Sequence, residues 1–139
     1  MGGFSSFDIS ASGIFAQRTR LDVIANNIAN AESTRTADGG PYRRQTVTFS
    51  AAYKDAVGNK SQMSGVDVSP VMEDPTDYKS VYDPGHPDAD ASGYVKMPNV
   101  NMMEEMVDMI SATRAYEANV TAMNATKSMI TAAIDIGRG

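Results

Sequence analysis

No cysteine occurs in this chain of 139 residues. Disulfides, thiolate metal sites and a cysteine nucleophile are therefore excluded, and no oxidising compartment is required. Histidine is nearly as scarce, since the single His86 cannot build the common multi-histidine metal sites. Long apolar runs are missing as well. None approaches the ~18 residues that span a bilayer, and the opening "MGGFSSFDIS" lacks the basic and apolar regions of a cleaved signal. The protein is expected to be soluble or part of an assembly, without a transmembrane segment. A negative mean hydropathy points to a modest core.

Positive charge is in short supply, with a net charge of −5, and it is unevenly placed. Residues 1–60 carry seven basic against five acidic groups, residues 67–105 two against nine, and residues 106–139 three against three. Such a balance argues against nucleic acid as a partner. The dispersed tyrosines lack the basic interleaving of a single-strand groove, and neither a P-loop nor a dinucleotide fingerprint is present.

What is there begins with periodicity. Phe7, Ile14, Leu21 and Ile28 stand seven apart, with Ile24 and Ala31 three residues after the last two. They form one line of a heptad seam whose companion line is weak at Ser10 and Gln17. A helix is predicted over residues 5–31. Near the other end Met102, Met109, Tyr116, Met123 and Ile130 repeat the spacing, flanked by Met106, Val120 and Ile134. Between Ser111 and Ile134 only Arg114, Glu117 and Lys127 are charged, while alanines recur. A helix so poor in charge expects protein around it, and the simplest partner is the other end of the same chain.

The middle changes character. "DGGP" at 38–41, "VGNKS" at 57–61 and "DPGHPDADASG" at 83–93 break any helical period. Short extended pieces are predicted around Val47 and Phe49, Val66 and Val68, Tyr78 to Tyr82, and Tyr94 to Met97. The expected fold is mainly α with a small β component: N- and C-terminal helices packed as a coiled-coil-like pair, with an extended β-containing insert. The segments are 1–33, 34–100 and 101–139, the first and last forming one axial domain.

Two chemical signals lie in the middle segment. Asp88, Asp90, Ser92 and Gly93 follow the opening of an EF-hand loop, so a small calcium-binding module over 88–93 is the rival reading. Against it, Asn99 replaces the bidentate glutamate at position twelve, Pro87 precedes the loop and no helix leads in. His86 with a neighbouring aspartate and Ser80 or Ser92 would make a hydrolase. It lacks a glycine-rich elbow and an oxyanion hole, so a structural turn is expected. No catalytic residue, metal ligand or cofactor is assigned.

The stretch "LDVIANNIANAES", residues 21–33, sets three asparagines in a nearly uncharged helix, although asparagine is a mediocre helix former. It resembles the N-terminal signature of bacterial flagellar axial proteins, the rod and hook family. "VYDPGHPDADASGYVKMPNVN" (81–101) and "EEMVDMISATRAYEANV" (104–120) are similar to that family's central and C-terminal signatures. The central one carries Asp83, Pro84, Gly85, His86, Pro87, Asp88, Gly93, Tyr94, Pro98 and Asn99. The likeness covers nearly the whole chain.

The resemblance implies a structural, non-enzymatic subunit of the rod that crosses the periplasm. Its terminal helices would line the axis, and it would leave through the flagellum's own type III export apparatus without a cleaved signal. The implied partners are other rod subunits, further copies of itself and the basal-body adaptor protein. Asn26, Asn27 and Asn30, on outer and flanking positions once Ile28 lies on the seam, are expected to face other subunits, together with Asn119. A neutral amide both donates and accepts there without the desolvation cost of a buried charge. The charge asymmetry predicts in addition that basic residues such as Arg43 and Arg44 meet the acidic 67–105 region of a neighbour, a heterologous contact.

Overall fold

The computed structural model describes residues 2–56 and 60–139, with side chains described outside 1–4 and 55–61. Helix α1 (Gly2–Ala29) is followed by β1 (Gln45–Thr46), β2 (Phe49–Ala56), β3 (Lys60–Val68), β4 (Met72–Glu73), β5 (Lys79–Tyr82) and β6 (Tyr94–Met97), then by helix α2 (Met102–Arg138). The mainly α class with a strand-containing insert is what the periodicity predicts. The "VGNKS" turn falls largely outside the described residues.

α1 ends two residues before the predicted boundary because Asn30 closes it. Its backbone and side-chain N–H groups both donate to the Asn26 carbonyl, at 3.1 and 2.9 Å. α2 starts where Asn101 accepts the Met103 N–H on its side-chain oxygen at 3.1 Å. Glu104 and Glu105 fill the first turn of this 37-residue helix, where carboxylates suit the positive end of the dipole.

The strands pair as three antiparallel ribbons: β1 with β4, β2 with β3, and β5 with β6. In the longest, Phe49 faces Val68, and the register slips between Ala52 and Tyr53, opposite Gly65. The chain divides into two compact units that cut across the three sequence segments. Unit 1 comprises 1–21, 48–70 and 111–139; unit 2 comprises 22–47 and 71–110.

Unit 1 is held by close approach. A β-carbon on Gly13 would stand 2.9 Å from the Asn119 side chain of α2, and the other fully buried positions among the described residues of this unit, Ala16, Gly65 and Ala112, are small too. The β2–β3 hairpin docks through Ser12, whose hydroxyl donates to the Ile9 carbonyl at 2.7 Å and accepts the Val66 N–H at 3.0 Å. Gly65 adopts φ +144°, and a β-carbon there would lie 2.5 Å from the Ser12 hydroxyl. Only glycine meets both demands.

Unit 2 has a branched apolar core of Val23, Ile24, Val95 and Val100, into which two polar side chains are sunk, Asn27 and Glu105. β5 and β6 pair from Lys79↔Met97 to Tyr82↔Tyr94. The rings of that last pair meet edge to face at 5.2 Å.

Candidate functional site

Asn27 is 1% exposed, so its amide must find every partner within the chain. It does. Its oxygen accepts the Gln45 N–H at 2.8 Å and the Tyr42 hydroxyl at 2.9 Å. Its nitrogen donates to the Gln45 carbonyl at 2.9 Å and to Glu105 Oε2 at 3.1 Å. One side chain thus satisfies both backbone groups of Gln45, as a neighbouring strand would, and ties α1 to β1 and α2.

Glu105 is 0% exposed. Its second oxygen receives Arg44 Nε at 2.5 Å, and the Arg44 guanidinium also reaches Asp74 at 3.2 Å. Burial opposes the charge on Arg44, but the hydrogen bond and charge of Glu105, followed by those of Asp74, raise its pKa above the ordinary value. Asp74 is held below the usual carboxylate range chiefly by the Thr76 hydroxyl and amide, then by Arg44. Burial pushes the Tyr42 phenol up, with Glu105 and Glu73 adding to the shift.

Asn99 continues the network, accepting the Arg44 N–H at 2.7 Å and donating to the Asp74 carbonyl at 3.2 Å. Arg43 lies 4.4 Å over the Tyr78 ring and donates to the Asp74 and Thr76 carbonyls. Arg43 and Arg44 are therefore occupied inside the chain. The acidic region they were expected to find on a neighbour is their own.

The consequence for α2 is a helix turned inside out. Over its first nine residues the buried position is Glu105, whereas Met103, Met106, Val107 and Ile110 are 70, 52, 63 and 59% exposed. At spacings of three, four and seven these four form one outward apolar stripe.

The predicted seam residues differ in burial. Ile24 is buried, while Ile14, Leu21, Ile28, Met109, Tyr116, Val120, Met123 and Ile130 are half-buried. Phe7, Met102 and Ile134 are 36, 40 and 55% exposed. On α1 the buried line runs through Gly13, Ala16, Val23 and Asn27, one position before the predicted one. The outward placement expected for the asparagines is corrected at Asn27, which is interior. Asn26 is exposed and Asn30 caps the helix, whereas Asn119 donates to the Ala115 carbonyl at 3.0 Å and faces Gly13.

The central signature builds a self-contained turn. Asp83 accepts the Gly85 N–H on its side chain, and its own N–H donates to the Gly93 carbonyl. Gly93, at φ +82°, leaves room for Tyr82 and Pro84; Pro98 is buried, and Pro84, Gly85, Pro87 and Tyr94 are exposed. His86 Nδ1 accepts the Asp88 N–H at 3.0 Å. Asp88 is engaged by the Thr34 hydroxyl at 2.8 Å and by Arg35. The Thr34 hydroxyl first, then the hydrogen bond and charge of Arg35, hold its carboxyl below the usual range. Asp90 receives the Ser92 and Tyr94 amides at 2.8 and 2.9 Å. Among the described residues no group of three or more His, Asp or Glu is set to hold a metal ion. Nor is any described helix long and apolar enough to cross a membrane.

Glu105 is the residue that sequence reasoning missed. In "MMEEMVDMI" the apolar residues mark the stripe, and Glu105 falls opposite it. The sole signal was that a carboxylate sits at the spacing otherwise continued by Ala112, Tyr116 and Asn119.

Two long terminal helices flank a strand-containing insert, and α2 carries an outward apolar stripe opposite the buried Glu105, features of a chain that builds structure. Two family models agree on its class: "Flagella basal body rod protein" matches residues 7–35, and "Flagellar basal body rod FlgEFG protein C-terminal" matches residues 91–136. The flagellar basal-body rod protein FlgC of Borreliella burgdorferi is 47% identical over the full length of both chains. That of Bacillus subtilis is 46% identical over 99% of this chain and all of its own. The Salmonella typhimurium protein is 46% identical over 95 and 96%. The chain belongs to the FlgC family of flagellar basal-body rod proteins, structural subunits of the rod.

Proposed function

We propose that this chain forms part of the wall of a periplasmic rod, a drive shaft enclosing the export channel, by joining neighbours through the outward faces of its terminal helices. The observation that carries the reading is the inversion over Met102–Ile110, where Glu105 is buried while Met103, Met106, Val107 and Ile110 face out. The monomer gains nothing from the outward apolar side chains, because each large one left in water forgoes roughly 1.5–3 kcal/mol of burial. Other rod subunits, further copies and the basal-body adaptor protein are the partners, reached after passage through the type III export apparatus without a cleaved signal. The asparagine exposed on α1, Asn26, belongs to the same outer surface. No catalysis, cofactor or metal enters.

The test is Val107→Glu in a strain carrying this chain as its rod subunit. The purified variant should unfold within about 0.5 kcal/mol of the parent, because the position is a surface one. Export should continue, while rod yield and swimming are lost. Normal swimming would refute the proposal.

A further inference from the structure

The two units differ in charge as well as in core. Unit 2 contains twelve acidic and five basic side chains, for a net charge of −7, and unit 1 five acidic and seven basic, for +2. Four of the five bases in unit 2 are consumed internally. Arg35 pairs with Asp88 and Arg44 with Glu105 and Asp74. Arg43 is taken by carbonyls and the Tyr78 ring, and Lys79 by the Val100 carbonyl at 2.7 Å. What unit 2 presents outward is a negative field around an apolar stripe, with Glu104 exposed beside Met103 and Val107.

A ligand for that surface needs a large apolar side chain with a cation one helical turn away. Unit 1 displays the pair on α1: Phe15, 65% exposed, and the exposed Arg18 three residues on. Aromatic and arginine side chains are also the ones that dominate interface energies. We infer that the α2 stripe of one copy receives the Phe15–Arg18 turn of a second copy, with Arg18 against Glu104. Donor and acceptor surfaces then differ, so every copy keeps one of each unsatisfied. The contact propagates as an open series unless its rotation closes. Opposite net charges would steer the encounter and make it salt-sensitive.

This rests on the assembly reading above and names the occupant of the face it uses. The absence of cysteine permits a clean test. Cells co-express two single-cysteine variants of the full chain, Phe15→Cys and Val107→Cys, distinguished by a mass tag. Isolated basal bodies are treated with a short bis-maleimide. The expected product is a dimer joining one of each variant, in excess of either homodimer. Arg18→Glu in the Phe15→Cys chain should reduce it several-fold, and Glu104→Arg in the Val107→Cys chain should restore it.

A Val107→Cys chain cross-linked mainly to itself, to another basal-body protein, or to an Ile134→Cys chain in place of Phe15→Cys would overturn the inference while leaving the assembly reading intact. So would assembled bodies in which no cross-dimer forms. Basal bodies that assemble fully without incorporating either chain would instead defeat the assembly reading.

Discussion

The two compact units bury different things. Unit 2 encloses branched apolar side chains around a saturated polar network, in which Asn27 uses all four of its hydrogen-bonding positions. Among its described residues unit 1 fully buries only Gly13, Ala16, Gly65 and Ala112 and leaves Tyr53, Met63, Met129 and Ile136 54–81% exposed. Even its half-buried Gln17 keeps an amide oxygen that is out of solvent and meets no hydrogen-bond partner among the described residues. Apolar area removed from water is the main favourable term in folding. Unit 2 is therefore the part equipped to hold its shape alone. Unit 1 is a close-approach joint whose stability depends on small residues staying small.

The comparison breaks most sharply at Glu105. Glu105→Ala takes from half-buried Arg44 the nearer of its carboxylates, leaving it Asp74, and takes a partner from Asn27, at a cost of about 3 kcal/mol. Hydrogen exchange should then show lost protection across β1, β5 and β6. A loss under about 1 kcal/mol would mean that the apolar core alone holds unit 2.

A smaller change is expected in unit 1. Gly65→Ala combines an unfavourable φ with the approach to Ser12, costing about 1–3 kcal/mol. Protection should fall in the β2–β3 hairpin and not in unit 2. Equal loss in both units would show that they unfold together.

Acid should produce the mildest effect, and only in unit 2. The pKa values of Asp74 and Asp88 are lowered in the folded chain, so their contribution is fully present above the unfolded value near 4. It is lost as pH falls through the lower folded values. Protection of the β1–β4 pair and of the 83–93 turn should decline over that window while unit 1 is unmoved. Decline beginning near neutrality would point to another group.

Much of this was legible in the sequence. Turn residues and alternation located β5 and β6, and both helices follow from their heptad lines. The scarcity of charge over Ser111–Ile134 sits on a stretch of α2 where Met129 and Ile134 are exposed. What was not legible is which face turns inward. On α1 the buried edge uses Gly13 and Ala16, small residues that carry little hydrophobic signal, so the larger Ile14 and Leu21 beside them set the apparent seam. On α2 the apolar residues near Met106 mark an outward face, because apolar periodicity marks a face suited to burial without saying whether its own chain covers it. The three asparagines were a sound anomaly with three different explanations: Asn26 is exposed, Asn27 is interior and Asn30 ends the helix.

The amide of Asn27 leaves position 27 with a vocabulary of one letter. Aspartate has the shape but neither donor, and would set a second carboxylate 3.1 Å from Glu105. Glutamine has the chemistry but one methylene too many for the paired bonds to Gln45. Serine does not reach, and leucine is mute toward both backbone groups of Gln45. A residue that looks replaceable on a helical wheel thus has no synonym in the fold.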